Sequence, residues 1–428
     1  MNMMNATVGC ARAVITPPFG TALAGYFPSR PAEGLHDDLY ARVVALRADE
    51  PVIVVQLDLM CADELFVDML EEQIFKKFHI PRESVFISCI HTHSGSAATI
   101  GKDSLNEIFR DELASEHVLS QVLWSIAQAL TDMHPFLVSV SSSGLDGIGS
   151  NRSDYAAPYD NELVLLQLTR DDGKKILLYN YACHPTVMNR ENRLISADYP
   201  GAAAAILERQ DDVACALFLN GADGDISTRF TRRESSFAEV YRIGGILGGE
   251  VLKMSCLSKT GECVRKLRCI AFSFQAAVKS MMTLEEADAA LEKARKKKEE
   301  AEKRGLEAGK LRLVQSLYEG ALLNRETIRT LHGVTSLSLQ IKVLQINRLS
   351  LIYIPGELFS SLGLLLKEKL DGKAVVVSYG NGCIGYIPNR AAYERNCYEA
   401  LSTPLAPGEG EKLVESILSH LAENNASL

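Results

Sequence analysis

Short apolar runs recur along this chain with almost no polar residue inside them, and that pattern does most to limit how it can fold. "PVIVVQLDLM" (51–60), "SVFISCI" (84–90), "FLVSVSS" (136–142), "LVLLQL" (163–168), "KILLYNYAC" (175–183), "ACALFLNG" (214–221), "KLRCIAFSF" (266–274), "LSLIYIPG" (349–356) and "AVVVSYGNG" (374–382) have the length and the β-branched and aromatic content of strands. A strand with one wet face alternates polar and apolar residues, whereas continuous apolarity calls for cover on both faces. Segments with apolar residues three and four apart supply that cover, among them "ADELFVDMLEEQIFKKF" (62–78), "DELASEHVLSQVLWSIAQAL" (111–130) and "YPGAAAAILERQ" (199–210). The alternation predicts an α/β fold with a large mixed β-sheet core flanked by helices. At 428 residues, 47% of them hydrophobic, the chain has the apolar surface to build it.

One stretch departs from the alternation. "TLEEADAALEKARKKKEEAEKRG" (283–305) opens on a capping box, Thr283 with Glu286, and carries charge pairs four apart, Glu292 with Lys296 and Glu299 with Lys303. Gly305 and Gly309 interrupt it before "KLRLVQSLYEGALLNRETIRTLHG" (310–333) resumes a helical pattern. The spacing predicts a helical hairpin inserted over residues 280–332, with the basic run "RKKK" on its solvated face.

The net charge of −9 argues against a nucleic-acid partner, which needs a basic face to replace phosphate counterions. No apolar run is long enough for a transmembrane segment, and the opening "MNMMNATVGCARAV" lacks the basic-then-apolar order of a secretory leader. Ten cysteines lie scattered, mostly in apolar runs and without a CxxC pair, so the expectation is a cytoplasmic protein with reduced thiols. Cys183 beside His184 and Cys383 near Tyr386 raise the idea of a thiolate ligand or nucleophile, against the plainer reading that they pack.

Five of the predicted strands end in a polar cluster: "HTHSG" after 84–90, "HPT" after 175–183, "GADGDIS" after 214–220, "PGE" after 349–354, and "NGCIGY" after 374–380. Each has a plain explanation alone. Histidines at strand ends often bond backbone, an Asp-rich loop forms turns, and Glu357 can sit on the positive end of the following helix. Ligands of open α/β sheets, however, bind where loops from the carboxyl ends of several strands converge. Brought together, His91, His184 and Glu357 form a nitrogen and oxygen donor set suited to catalytic zinc, which lowers the pKa of bound water from 15.7 to about 7 and polarises a carbonyl. Ser227, within reach of the same point, would serve as nucleophile or proton relay, and a second imidazole or a cation would hold an oxyanion.

These motifs, in this order, resemble the catalytic domain of the neutral (alkaline, non-lysosomal) ceramidases, which are zinc amidases. The resemblance runs from "ITPPFGTALAGYF" to "YERNCYEALSTPLAPG" and rests on "HTHSG", "NRSDY", "CHPTVM", "SADYPG", "GDIS", "PGE" and "GYIPNRAAYERNCYEA". It implies one Zn2+ per chain, held by His91, His184, Glu357 and Tyr386. It makes His93 a substrate or oxyanion contact, puts Arg152 and Tyr398 at the amide head group and Ser227 at the scissile carbonyl, and has Gly25 line the pocket through its backbone. Asp198 and Asp225 read as organisers of their loops. His36, His79, His117, His134, His332 and His420 lie outside the motifs and read as structural or exposed.

The chain departs from the family where Ser96 stands in place of Pro, and where Thr228 and Arg229 follow Ser227 in place of Pro and Asn. The expectation is also that it lacks the secreted members' leader and C-terminal immunoglobulin-like sandwich. The expectation is therefore a single ceramidase-like catalytic domain over 1–428, cleaving an N-acyl amide smaller or more soluble than ceramide. In this reading, metal-bound water or Ser227 attacks while zinc, His93 and Tyr398 stabilise the negative oxygen. The alternatives are a zinc esterase, lactonase or peptidase-like hydrolase on the same site, and a binding protein on an enzyme fold with the hairpin as its contact surface.

Overall fold

In the computed structural model, which describes residues 6–426 apart from 19, 28, 29, 101, 104–107, 110, 260 and 307, each of the quoted apolar runs forms a strand, and the strands divide between two sheets. The larger is a mixed sheet of eight, in the spatial order Val213–Asn220, Lys175–Tyr181, Glu162–Arg170, His134–Gly144, Thr7–Val14, Tyr40–Arg47, Pro51–Leu57 and Val85–Cys89. Its two outermost pairs are parallel and the rest antiparallel. The smaller sheet orders Leu267–Ala277, Ser336–Ile346, Leu349–Tyr353 and Ala374–Val377, the last pair parallel.

The two sheets stack face to face over a shared apolar layer. Val44, Val54, Phe86, Leu166, Leu178 and Leu217 from one meet Leu344, Leu351, Tyr353 and Val377 from the other. The far face of the large sheet is covered by the helices Glu64–Phe78, Glu112–Thr131, Asp198–Leu207 and Phe237–Leu257. The far face of the small one is covered by Ser360–Lys369 and Glu409–Ala426. The result is a helix–sheet–sheet–helix sandwich, so its fully covered strands are apolar on both sides because one side meets helices and the other meets a second sheet, while His134–Gly144 and Leu267–Ala277 alternate covered and exposed residues.

Local chemistry sets the helices. Asp63 caps Glu64–Phe78 by accepting from the Phe66 amide, and the stripe Phe66, Val67, Leu70 and Ile74 is buried below it. Asp198–Leu207 and Phe237–Leu257 cross closely at Gly244, where a Cβ would lie 2.6 Å from that of Ala202 and 2.9 Å from the Tyr199 carbonyl. That approach seats Tyr199, whose hydroxyl donates to the Cys183 carbonyl at 2.5 Å, one residue before His184.

Residues 284–330 form two helices, Leu284–Lys303 and Ala308–Thr330, packed on each other, with the Thr283–Glu286 capping box in place. Glu299 pairs with Arg295, and Lys296 lies 3.6 Å from Glu292. The second helix rests on the short helix Tyr398–Ser402, Gly320 lying against Tyr398 and Leu401. Among the described residues no helix is long and apolar enough to cross a membrane.

Candidate active site

The five polar clusters meet at one point, because the strands that carry them end on the same side of the stacked sheets. Asn220, the last residue of its strand, ties three of them: its side-chain nitrogen donates to the Ile90 carbonyl and to Asp223, and its oxygen accepts from the Cys183 amide. His91 and His184 each follow one of those tied residues.

The ligating atoms of His91, His93 and His184 all lie within 4.8 Å of one another. His91 takes a left-handed backbone conformation, φ 71°, and stacks on Tyr379 with centroids 4.0 Å apart. Its Nδ1 faces the Met60 carbonyl at 2.9 Å, and since a carbonyl only accepts, that nitrogen carries the proton and Nε2 presents a lone pair. His184 is fixed the same way. Its Nδ1 faces the carbonyls of Asp223 and Ile226 at 2.8 and 3.1 Å and an Asp223 carboxylate oxygen at 3.1 Å, which leaves Nε2 toward Glu357 Oε2 at 3.0 Å. The same Glu357 oxygen lies 4.0 Å from His91 Nε2. Two imidazole nitrogens and a carboxylate oxygen, all buried, with both rings oriented from behind, are a donor set that fits a divalent ion of the zinc type.

His93 differs. Its Nε2 is 3.1 Å from that of His91, but its Nδ1 is buried with no partner among the described residues. Gly25, at φ 89°, lies against that nitrogen, and a Cβ there would come within 2.3 Å of it. Burial, His91 and His184, with Arg30 and Arg152, hold the His93 pKa well below the usual imidazole value. Burial above all draws His91 down to about 4 despite Glu357. For His184, burial and Arg152 act downward, but the carboxylates of Asp223 and Glu357 outweigh them and raise it to about 9.

Ser227 is 3% exposed and sits in register with His184 on one side and Ser150 on the other. Arg152 follows that bridge, its backbone amide held by the Asp225 carbonyl. Its Nε donates to Glu399 at 2.9 Å, while a terminal nitrogen donates to the Gly224 carbonyl at 2.9 Å and to the Tyr386 hydroxyl at 3.0 Å. Tyr386 pairs in strand register with Glu357, and the Tyr398 ring meets it edge-on at 5.8 Å. All the residues singled out from the sequence are therefore brought to one region. Asp225, accepting from Asn151 and the Ser360 amide, and Asp198, accepting from the Met188 and Tyr199 amides, organise their loops. The Cys183 thiol points at the His184 carbonyl, and burial raises its pKa, so it packs and does not ligate.

Three residues escaped the sequence reading. Asp223 orients His184 and accepts from the Tyr379 hydroxyl at 2.8 Å. Tyr379 stacks on His91, so one carboxylate steadies both rings. Glu399, 3% exposed, clamps Arg152 and accepts from Ser153. Asp223 and Glu399 stand beside residues that were singled out, but only contacts across the fold show what they hold.

Fold and site together define a layered α/β protein with a buried histidine–carboxylate cluster, able to hold a metal ion, at the carboxyl ends of its strands. Residues 7–232 match the model of the "Neutral/alkaline non-lysosomal ceramidase, N-terminal" family, and the chain belongs to that family. It is 28% identical over 228 residues to neutral ceramidase 2 of Arabidopsis thaliana, covering 48% of this chain and 29% of that one. It is 26% identical over 200 residues to a neutral ceramidase of Oryza sativa subsp. japonica, covering 41% and 25%. The aligned segments thus span less than a third of those relatives. The crystal structure of neutral ceramidase from Pseudomonas aeruginosa shares the fold, with a TM-score of 0.76 at 18% identity over 97% of this chain and 74% of that one.

Proposed function

We propose that this chain is a zinc-dependent amidase that hydrolyses an N-acyl amide. One observation carries the reading: His91 and His184 turn their Nε2 atoms to a common point beside Glu357, each with its Nδ1 fixed by a carbonyl. With the family, it favours His91, His184, Glu357 and Tyr386 as the ligands. Zinc bound there supplies a Lewis acid for the amide carbonyl and makes water acidic enough to act at neutral pH.

The chain's own groups do the rest. His93, with no acceptor behind its Nδ1, is the imidazole of the three left free to face substrate, and it is neutral at pH 7. Its Nε2–H donates to the carbonyl oxygen as negative charge develops there, and Tyr398 adds a hydroxyl donor. Arg152, locked by Glu399, positions the head group of the amide and holds Tyr386 through its phenol oxygen. Ser227 supplies the hydroxyl at the scissile carbonyl.

His184→Ala tests this. It should lose bound zinc by elemental analysis and on the order of 100-fold or more in kcat on an N-acyl amide. Full activity in a metal-free variant refutes the reading, and turnover of esters without amides in a chain-length panel moves it to an esterase.

A further inference from the structure

Next to His93 lies a buried cation, Arg30, with no counter-charge among the described residues. Arg30 is 2% exposed. Its Nε donates to the Asn192 carbonyl at 2.9 Å and one terminal nitrogen to the His93 carbonyl at 2.6 Å. The other terminal nitrogen is buried with no partner among the described residues. The Tyr26 ring fills the gap between the two side chains, its centroid 4.8 Å both from the Arg30 guanidinium carbon and from the His93 ring.

The other enclosed arginines show how this fold normally treats such a group. Arg42 meets Asp58 and Glu208, Arg170 meets Asp132 and Asp172, and Arg152 meets Glu399. Arg30 has neutral carbonyls and an aromatic face, with Arg193 adding a second positive charge nearby. Burial accordingly draws its pKa down to about 10. A guanidinium enclosed in this way is costly to keep unless an anion arrives to use it, and its planar fork suits the two oxygens of a carboxylate or phosphate.

We infer that Arg30 forms an anion subsite beside His93, so that the preferred substrate is an N-acyl amide carrying a negatively charged group a few bonds from the scissile amide, an N-acyl amino acid being the simplest. This rests on the amidase reading. The anion takes the free N–H of Arg30 while the amide carbonyl meets His93, and Tyr26 packs against the bonds between them. A neutral N-acyl alcohol-amide leaves that N–H unanswered.

The test compares zinc-loaded protein on N-dodecanoylglycine, on O-phospho-N-dodecanoylethanolamine and on neutral N-dodecanoylethanolamine. Wild type should favour one or both anionic amides by about 10- to 100-fold in kcat/KM, the range of a charge-assisted hydrogen bond. Arg30→Gln should erase the preference chiefly through KM, the anionic amides losing about 10- to 100-fold more than the neutral one, while Arg30→Lys keeps part of it. Equal rates on all three amides, or an equal loss on all three in Arg30→Gln, overturns the subsite and leaves the amidase standing. If no amide is cleaved, the amidase reading fails, and calorimetric binding decides the subsite separately. Tighter binding of N-dodecanoylglycine than of the ethanolamide, lost in Arg30→Gln, supports it, and equal binding overturns it. Should Arg30→Gln prove unfolded by circular dichroism, the wild-type preference alone decides.

Discussion

At the scale of single residues, the site depends on what stands behind each imidazole. His91 and His184 are held from the rear by carbonyls, and Asp223 links them through Tyr379, whereas His93 has only the bare backbone of Gly25 behind it. This asymmetry separates ligand from substrate contact. Gly25→Ala should push the His93 ring out of place, because the new methyl would sit 2.3 Å from its Nδ1. We expect kcat to fall about 100-fold, as for loss of an oxyanion donor. Zinc content should stay at the wild-type value, and loss of zinc in this variant would make His93 a ligand instead. The two histidines of "HTHSG" stood out in the sequence as donors. Which of them is braced did not, since Met60 and Gly25 lie 31 and 68 residues away from the rings they face.

At the scale of elements, the apolar runs were legible because covered strands are apolar on both faces, and all of them are strands. Thr7–Val14, Tyr40–Arg47 and Ser336–Ile346 were not legible. Arg12, Arg42 and Lys342 break their apolar pattern, and each cation is answered by a carboxylate from elsewhere, Glu208, Asp58 with Glu208, and Glu71. The support of Tyr398 is another long-range matter. Lys279, just past the strand Leu267–Ala277, donates to the Leu401 carbonyl of the short helix that carries Tyr398, and burial lowers its pKa to about 8. The folded state therefore holds this proton more weakly than the unfolded chain. The resulting cost is present below about 8 and lifts as pH rises toward the ordinary lysine value of 10.5. Urea unfolding should show wild type gaining stability on Lys279→Met between pH 7.5 and pH 10, and a constant gap would count against this.

At the scale of the whole molecule, the stacking of two sheets is what brings Glu357 and Tyr386, which follow strands of the small sheet, to histidines that follow strands of the large one. A buried pair helps hold the layers in register. Lys342 of the small sheet donates to Glu71 of the helix Glu64–Phe78 at 2.6 Å and to the carbonyls of Arg82 and Val85, while Asn381 bonds the same carboxylate. Glu71→Ala leaves that ammonium uncompensated and should cost about 3–5 kcal/mol, whereas Glu71→Met with Lys342→Met together should cost far less. Chemical denaturation of both variants against wild type checks this, and a double variant as destabilised as Glu71→Ala would show that the lone ammonium is not the source of the cost. By itself the sequence determined the nine strands in its apolar runs, the helices over 62–78, 111–130 and 199–210 and the hairpin, because burial periodicity and caps are local, and it determined the donor types at five strand ends, because the chemistry of a side chain travels with its residue. Only the tertiary structure decided that the strands form two stacked sheets, that Asp223 and Glu399 brace the donors, and that Arg30 is enclosed without a counter-charge. Pairing, enclosure and electrostatic compensation are relations between residues distant in the chain, and they exist only once it has folded.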